Sequence, residues 1–108
     1  MAQNFRRYTS NDVGTSAATI FTADSYDTIV GISLANVTAS AINVSVYIND
    51  GVNDIYLVKD APIPQGSQLQ VLDGGAKYVV QSGDALKVVS DTASSVDVWV
   101  STVDAIST

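Results

Sequence analysis

The sequence lacks three of the side chains that most often perform catalysis or bind metals. Its 108 residues contain no cysteine, no histidine and no glutamate. Without cysteine, neither disulfides nor thiolate sites can form, and without histidine the usual proton shuttle at neutral pH is missing. Nucleophilic catalysis would then depend on Ser or Thr beside Lys59, Lys77 or Lys87, which lie in strand or turn patterns typical of solvated surface. We expect no enzymatic activity, no cofactor and no metal site.

Basic residues and long apolar runs are also scarce. Five Lys and Arg residues stand against eleven Asp, so the net charge is −6 at pH 7. Only Arg6 and Arg7 are adjacent, which is too small a cluster to neutralise a phosphate backbone, so we expect no nucleic-acid partner. No apolar run approaches the roughly 20 residues that a membrane-spanning helix needs, so we expect no membrane partner. The first ten residues, MAQNFRRYTS, also lack the apolar stretch of a signal peptide.

Hydrophobic residues recur with a period of two. Ile42, Val44, Val46 and Ile48 alternate with polar residues and Tyr47, and a second alternation in SVDVWVS sets three valines against Trp99. This alternation is typical of a strand with one buried face. In TIVGISLAN it predicts Val30, Ile32 and Leu34 on one face and Ile29, Gly31, Ser33 and Ala35 on the other.

Turn residues divide the chain into short segments of this kind. The acids are all Asp, which favours turns, and Asp50-Gly51 and Asp73-Gly74 are strong hairpin signals. Pro62 and Pro64 cannot donate ladder hydrogen bonds, so they belong in a connection or on an edge strand. The pattern predicts an all-β, single-domain antiparallel β-sandwich, jelly-roll-like, with about eight or nine short strands. The candidates are residues 4–10, 17–22, 28–36, 41–49, 54–59, 67–72, 77–81, 85–90 and 95–101.

Residues 1–13 are predicted to form an N-terminal arm or an edge strand, and residues 14–108 the sandwich domain. Two sites in the chain have alternative interpretations. NDGVND resembles part of a calcium loop, but without a closing glutamate a hairpin turn is favoured over a weak calcium site. Asn36 and Asn43 each begin an N-x-S/T sequon, which matters only in a secreted protein.

Aromatic and basic side chains are the best candidates for a contact surface. A polar strand surface with a few aromatic residues suits protein–protein contact. The alternatives are that these rings lie in the core, or that Tyr47, Tyr56 or Trp99 stack against sugar rings as in a carbohydrate-binding module. The candidate interface residues are Phe5, Arg6, Arg7, Tyr8, Tyr47, Tyr56 and Trp99.

The order of strand and turn segments resembles a known family. TIFTA, IVGISLANVTASAINVSVYI, DIYLVKDAPIPQGSQLQVL and VVQSGDALKVVSDTASSVDVWVS are similar to stretches of small virion structural proteins of tailed bacteriophages, notably T4-like phages of marine cyanobacteria. The resemblance covers nearly the whole chain from Gly14 onward, and it carries over no functional residues.

The resemblance implies a non-enzymatic virion protein that is assembled in the cytoplasm of the host bacterium. The leading expectation is a decoration or cement protein on the capsid exterior, and the alternative is a neck, tail or fibre subunit. The implied partners are other virion proteins, either the major capsid protein or tail and neck proteins. Because closed symmetry satisfies exposed strand edges, we also expect a homo-oligomer, with a trimer favoured.

Overall fold

The computed structural model describes residues 3–23, 27–71 and 77–105, which form nine strands and no helix. Each predicted segment coincides with or overlaps one of these strands, so the all-β expectation is confirmed. The predicted Asp73-Gly74 turn lies outside the described residues. The strands are β1 Gln3–Val13, β2 Ala18–Thr22, β3 Asp27–Asn36, β4 Ile42–Asn49, β5 Asp54–Ile63, β6 Gln68–Gln70, β7 Tyr78–Val80, β8 Ala85–Ser90 and β9 Val96–Ala105.

The strands form two antiparallel sheets. Sheet A has the order β1-β9-β3-β6, with β7 also paired to β3, and sheet B has the order β2-β8-β4-β5. Strand β1 contacts β2 and β8, so the β1 edge of sheet A lies over the β2 side of sheet B. The predicted antiparallel β-sandwich is thereby confirmed, whereas the jelly-roll description stays a prediction.

Branched aliphatic side chains from both sheets fill the space between them. Such side chains suit extended backbone, and burying each one fully is worth about 1.5–3 kcal/mol relative to leaving it exposed. Central strands β9 and β3 supply the rows from sheet A, and β4 and β8 supply those from sheet B. The buried residues include Ile29, Ile32, Leu34, Val96, Val98, Val100, Ile42, Val44, Val46, Leu86 and Val88.

A bulge in β3 corrects one predicted orientation. The expectation that Val30 lies on the same face as Ile32 and Leu34 is wrong, because the pairing of β3 with β9 shifts between Ile29 and Gly31. Val30 is the extra residue and is 37% exposed, whereas Ile29 is fully buried. An inserted residue moves the side chains before it to the opposite face, which strict period-two reasoning cannot detect.

Strand β5 is longer than predicted, since it continues past Lys59 and through Pro62. Asp60 adopts a left-handed backbone conformation (φ 51°) at one of two irregularities in its pairing with β4. Pro62 lies opposite Asn43, whose backbone N–H donates to the Asp91 carboxylate and whose carbonyl accepts from the Asp91 N–H. No ladder bond from Pro62 is therefore needed, and its predicted place on an edge strand is confirmed.

The buried side chain of Asn36 ties the end of β3 to the end of β5. Its Nδ2 donates to the carbonyl oxygens of Ser40, Ile63 and Pro64 at 2.8, 3.0 and 3.2 Å. Its Oδ1 accepts from both the N–H and the hydroxyl of Thr38 at 2.8 Å. Because β3 belongs to sheet A and β5 to sheet B, this one amide connects the two layers.

We expect Asn36→Ala to lower the free energy of unfolding by about 3 kcal/mol, because buried carbonyl and N–H groups lose their partners. Urea denaturation monitored by circular dichroism measures the change. Asn43→Ala is the matched control, since Asn43 is an exposed sequon asparagine on a strand, and we expect a change below about 0.5 kcal/mol. Equal effects of the two substitutions would contradict the role given to Asn36.

Candidate interaction surface

The outer face of sheet A is a continuous exposed surface. Strand pairing places Phe5, Val103, Thr28 and Val79 in one row across four strands. Further along the strands, Thr9, Trp99, Ser33 and Gln70 form a second row. Residues directly opposite one another share a face of the sheet, so the members of each row are neighbours. The most exposed apolar side chains of the two rows are Phe5 at 78%, Val79 at 69% and Trp99 at 51%.

Arg7 lies against Trp99 on this face. Its guanidinium carbon is 5.5 Å from the centroid of the indole ring. Exposed cation–π contacts of this kind are worth about 0.5–1 kcal/mol. Two of the predicted interface residues, from strands far apart in the sequence, are therefore brought together.

Strand β1 offers the longest regular edge of the described structure. Residues from Gln3 to Ser10 pair with β9 without a shift of register, and β1 pairs with no other described strand. Edges of β-sheets are usually blocked by bulges, prolines or short strands. The edge strand β5 has two irregularities and Pro62, β2 has one irregularity, and β6 and β7 have three residues each. Phe5, Arg6 and Arg7 are exposed along β1.

Tyr8 occupies a different place from its neighbours in β1. Its ring stacks on that of Phe21 with centroids 4.5 Å apart and an angle of 12°. Phe21 is buried in sheet B, and Tyr8 packs against the core. Tyr8 therefore joins the two sheets beneath the β1 edge, and it contributes packing rather than exposed surface.

Tyr47 and Tyr56 lie on the outer face of sheet B, away from Trp99. Their ring centroids are 4.9 Å apart, and the Lys59 ammonium lies 4.5 Å from the centroid of Tyr56. Tyr47 is only 8% exposed, and burial, followed by the nearby Asp54 carboxylate, raises the pKa of its hydroxyl. The predicted site residues thus divide between opposite faces of the sandwich. Tyr47 alternates with the core residues of β4, a pattern that predicts exposure, so its burial could not be read from the sequence.

The NDGVND segment is a hairpin turn in which the side-chain oxygens of Asn49 and Asp50 accept hydrogen bonds from backbone N–H groups. Asp50 Oδ1 accepts from the N–H groups of Val52 and Asn53 at 3.0 and 2.7 Å, and Asn49 Oδ1 accepts from the Gly51 N–H at 2.9 Å. Gly51 adopts φ 95°, which favours glycine. Within residues 3–23, 27–71 and 77–105, no three potential metal ligands come together.

No helix in the described residues is long and apolar enough to cross a membrane.

Comparison with known proteins finds similarity to a solved structure and to no protein family. No protein-family model and no curated protein matches the chain. Among solved structures, the chain is similar to the crystal structure of a pentameric capsid protein isolated from metagenomic phage sequences, with 19% sequence identity and a TM-score of 0.50. The match covers 92% of this chain and 59% of that protein. At this identity the likeness shows a shared fold, and the chain spans less than two thirds of its neighbour's length.

We expect the carboxyl of Asp50 to titrate below its ordinary pKa of 3.8, because the N–H groups of Asn53 and then Val52 stabilise its charged form. A group whose pKa is lowered by folding contributes stability above its ordinary pKa, and that contribution is lost as the pH falls through the folded-state value. Carbon-detected NMR titration gives the pKa directly. A value at or above 3.8 would contradict the hairpin-turn role.

The hydrogen bonds of the Asp50 carboxylate also determine how Asp50→Ala affects stability. The substitution should destabilise the protein at neutral pH. The difference in unfolding free energy between the native protein and the variant should shrink at a pH well below 3.8, where the Asp50 carboxyl of the native protein is protonated and uncharged. Urea unfolding at the two pH values checks the sign. A difference that is independent of pH would show that the carboxylate charge plays no part in the turn.

Proposed function

We propose that the chain is a non-enzymatic structural protein of a tailed-phage virion, of the decoration or cement type, held on the capsid exterior by protein–protein contacts. The observation that carries this proposal is the regular, unblocked β1 edge with Phe5 exposed upon it. The fold shared with a phage capsid protein supports it. Fold alone does not determine function. Membership of the cyanophage-type family stays a prediction.

The β1 edge gives a concrete mode of attachment. The backbone N–H and C=O groups that point away from β9 can pair with an extended segment of a neighbouring virion protein. Burial of Phe5 in that contact would add about 1.5–3 kcal/mol. Arg6 and Arg7 concentrate positive charge on this strand in a chain of net charge −6, which favours an acidic partner surface.

We also propose that the protein forms a closed homo-oligomer. A trimer is the expectation from the sequence, whereas the structural neighbour is a pentameric capsid protein. Cyclic closure is the usual way for identical chains to satisfy their exposed contact surfaces. Native mass spectrometry of the purified protein counts the copies, and a monomer at every concentration would contradict the proposal.

Location within the virion separates decoration from the alternative of a neck, tail or fibre subunit. A decoration protein should be present in proportion to the major capsid protein and should follow the capsid lattice in cryo-electron microscopy maps. A small copy number on the tail axis would support the alternative. Detection only in the cytosol of infected cells, and never in purified particles, would contradict a virion role altogether.

We expect Phe5→Ser to weaken attachment to particles by roughly tenfold or more, because it removes the apolar area that the contact would bury. Occupancy on particles, measured by quantitative mass spectrometry, gives the loss. The unfolding transition should not change, since Phe5 is 78% exposed in the isolated chain. Val52→Ser is the matched control, because Val52 is 85% exposed on the β4–β5 turn, away from β1. Equal effects of both variants would argue against attachment through β1.

A further inference from the structure

A shallow groove of about 490 Å³ lies beside Trp99 on the outer face of sheet A. Its volume is within the range of roughly 300–1,000 Å³ that is typical of small-molecule sites. Three neighbouring strands line it, with Thr9 and Asn11 from β1, Ser33 and Ala35 from β3, and Asp97 and Trp99 from β9. Nothing in the attachment through β1 uses this groove, because a strand added to the edge of a sheet leaves the face above β9 open.

The groove combines a flat aromatic wall with a floor of small side chains. Ser33 pairs with Trp99 and Ala35 pairs with Asp97 across the sheet, so the space beside the indole is left unfilled. Along β9, Asp97 and Ser101 lie on opposite sides of Trp99. The groove is on the Asp97 side, whereas Arg7 pairs with Ser101 and therefore contacts the indole ring from the side away from the groove.

Polar groups surround this aromatic wall, and hydrogen bonds orient two of them. Asp97 Oδ1 accepts the backbone N–H of Asp12 at 3.1 Å, and this bond orients the carboxylate at the β1 bulge. Ser33 donates its hydroxyl to Gln68 Oε1 at 2.9 Å, which leaves the Ser33 oxygen as an acceptor. The exposed Asn11 amide and Thr9 hydroxyl supply further donors and acceptors. The groove thus offers several hydrogen-bonding groups around one ring.

Among the three rings considered as platforms for a sugar, Trp99 is the best placed. Tyr47 is only 8% exposed, and the ring of Tyr56 contacts both Tyr47 and Lys59. Trp99 is 51% exposed and lines a groove with polar walls.

We propose that this groove binds a neutral glycan. The apolar C–H face of a pyranose ring would stack on the electron-rich face of Trp99. Its hydroxyls would donate to the Asp97 carboxylate and exchange hydrogen bonds with Asn11 and Thr9. The Asp97 charge and the net charge of −6 disfavour anionic sugars, and the polar rim disfavours a wholly apolar ligand. The inference is independent of the proposed function.

The experiment uses the fluorescence of Trp99, the sole tryptophan in the chain. Full-length protein is titrated with glucose, galactose, mannose, xylose, N-acetylglucosamine and oligosaccharides of each, up to their solubility limits. We expect a saturable change of emission with at least one of them. Asp97→Asn keeps an oxygen for the Asp12 N–H but removes the charge, and should weaken binding about tenfold. Ala35→Leu fills the floor of the groove and should abolish binding.

Two matched controls should bind like the native protein. Asp84→Asn changes a carboxylate that also accepts a backbone N–H, that of Gln81, and Ala85→Leu enlarges an alanine of sheet B. The proposal is overturned if no sugar gives a saturable change, or if the controls lose binding as strongly as the groove variants do. It is also overturned if emission depends on protein concentration and not on sugar, since the groove would then be a contact between copies of the chain.

Discussion

The fold depends on the mutual burial of two apolar surfaces, one from each sheet. Neither sheet is stable with this face in water, because the branched aliphatic side chains of β3, β9, β4 and β8 would remain hydrated. Once the two inner faces are in contact, the register of every central strand is set, since a slip of one residue would place its polar side chains inside. The outer faces and the edges are then available for function.

Two contacts extend this packing to the margins of the sandwich and position the candidate surfaces. The Tyr8–Phe21 stack secures β1 to sheet B, and the Asn36 side chain connects the end of β3 to β5. The bulge that brings the Asp12 N–H to the Asp97 carboxylate shapes the groove beside Trp99. The candidate surfaces are thus built on regular backbone and on side chains that hydrogen bonds and packing orient, which is the support that a binding site needs.

The sequence predicted the strands because alternation is a local property, and it failed where the structure depends on distant pairing. All nine segments contain a strand, and the two long rows in β4 and β9 are oriented as predicted. The misplacement of Val30 arises from a bulge that only the pairing with β9 defines. The partnership of Arg7 with Trp99 could not be foreseen either, since it requires knowing that β1 pairs with β9. The exposed aromatic residue could be named as a candidate from sequence, but the groove beside it could not.

Amide hydrogen exchange of the protein in isolation and in the assembled virion tests the central claim most directly. In an edge strand, the N–H groups that point away from the sheet exchange readily because they have no partner. We expect alternate amides of β1 to exchange fast in the isolated protein and to become strongly protected in the particle, while the central strands are protected in both. Unchanged exchange in β1, with new protection confined to another part of the surface, would contradict it.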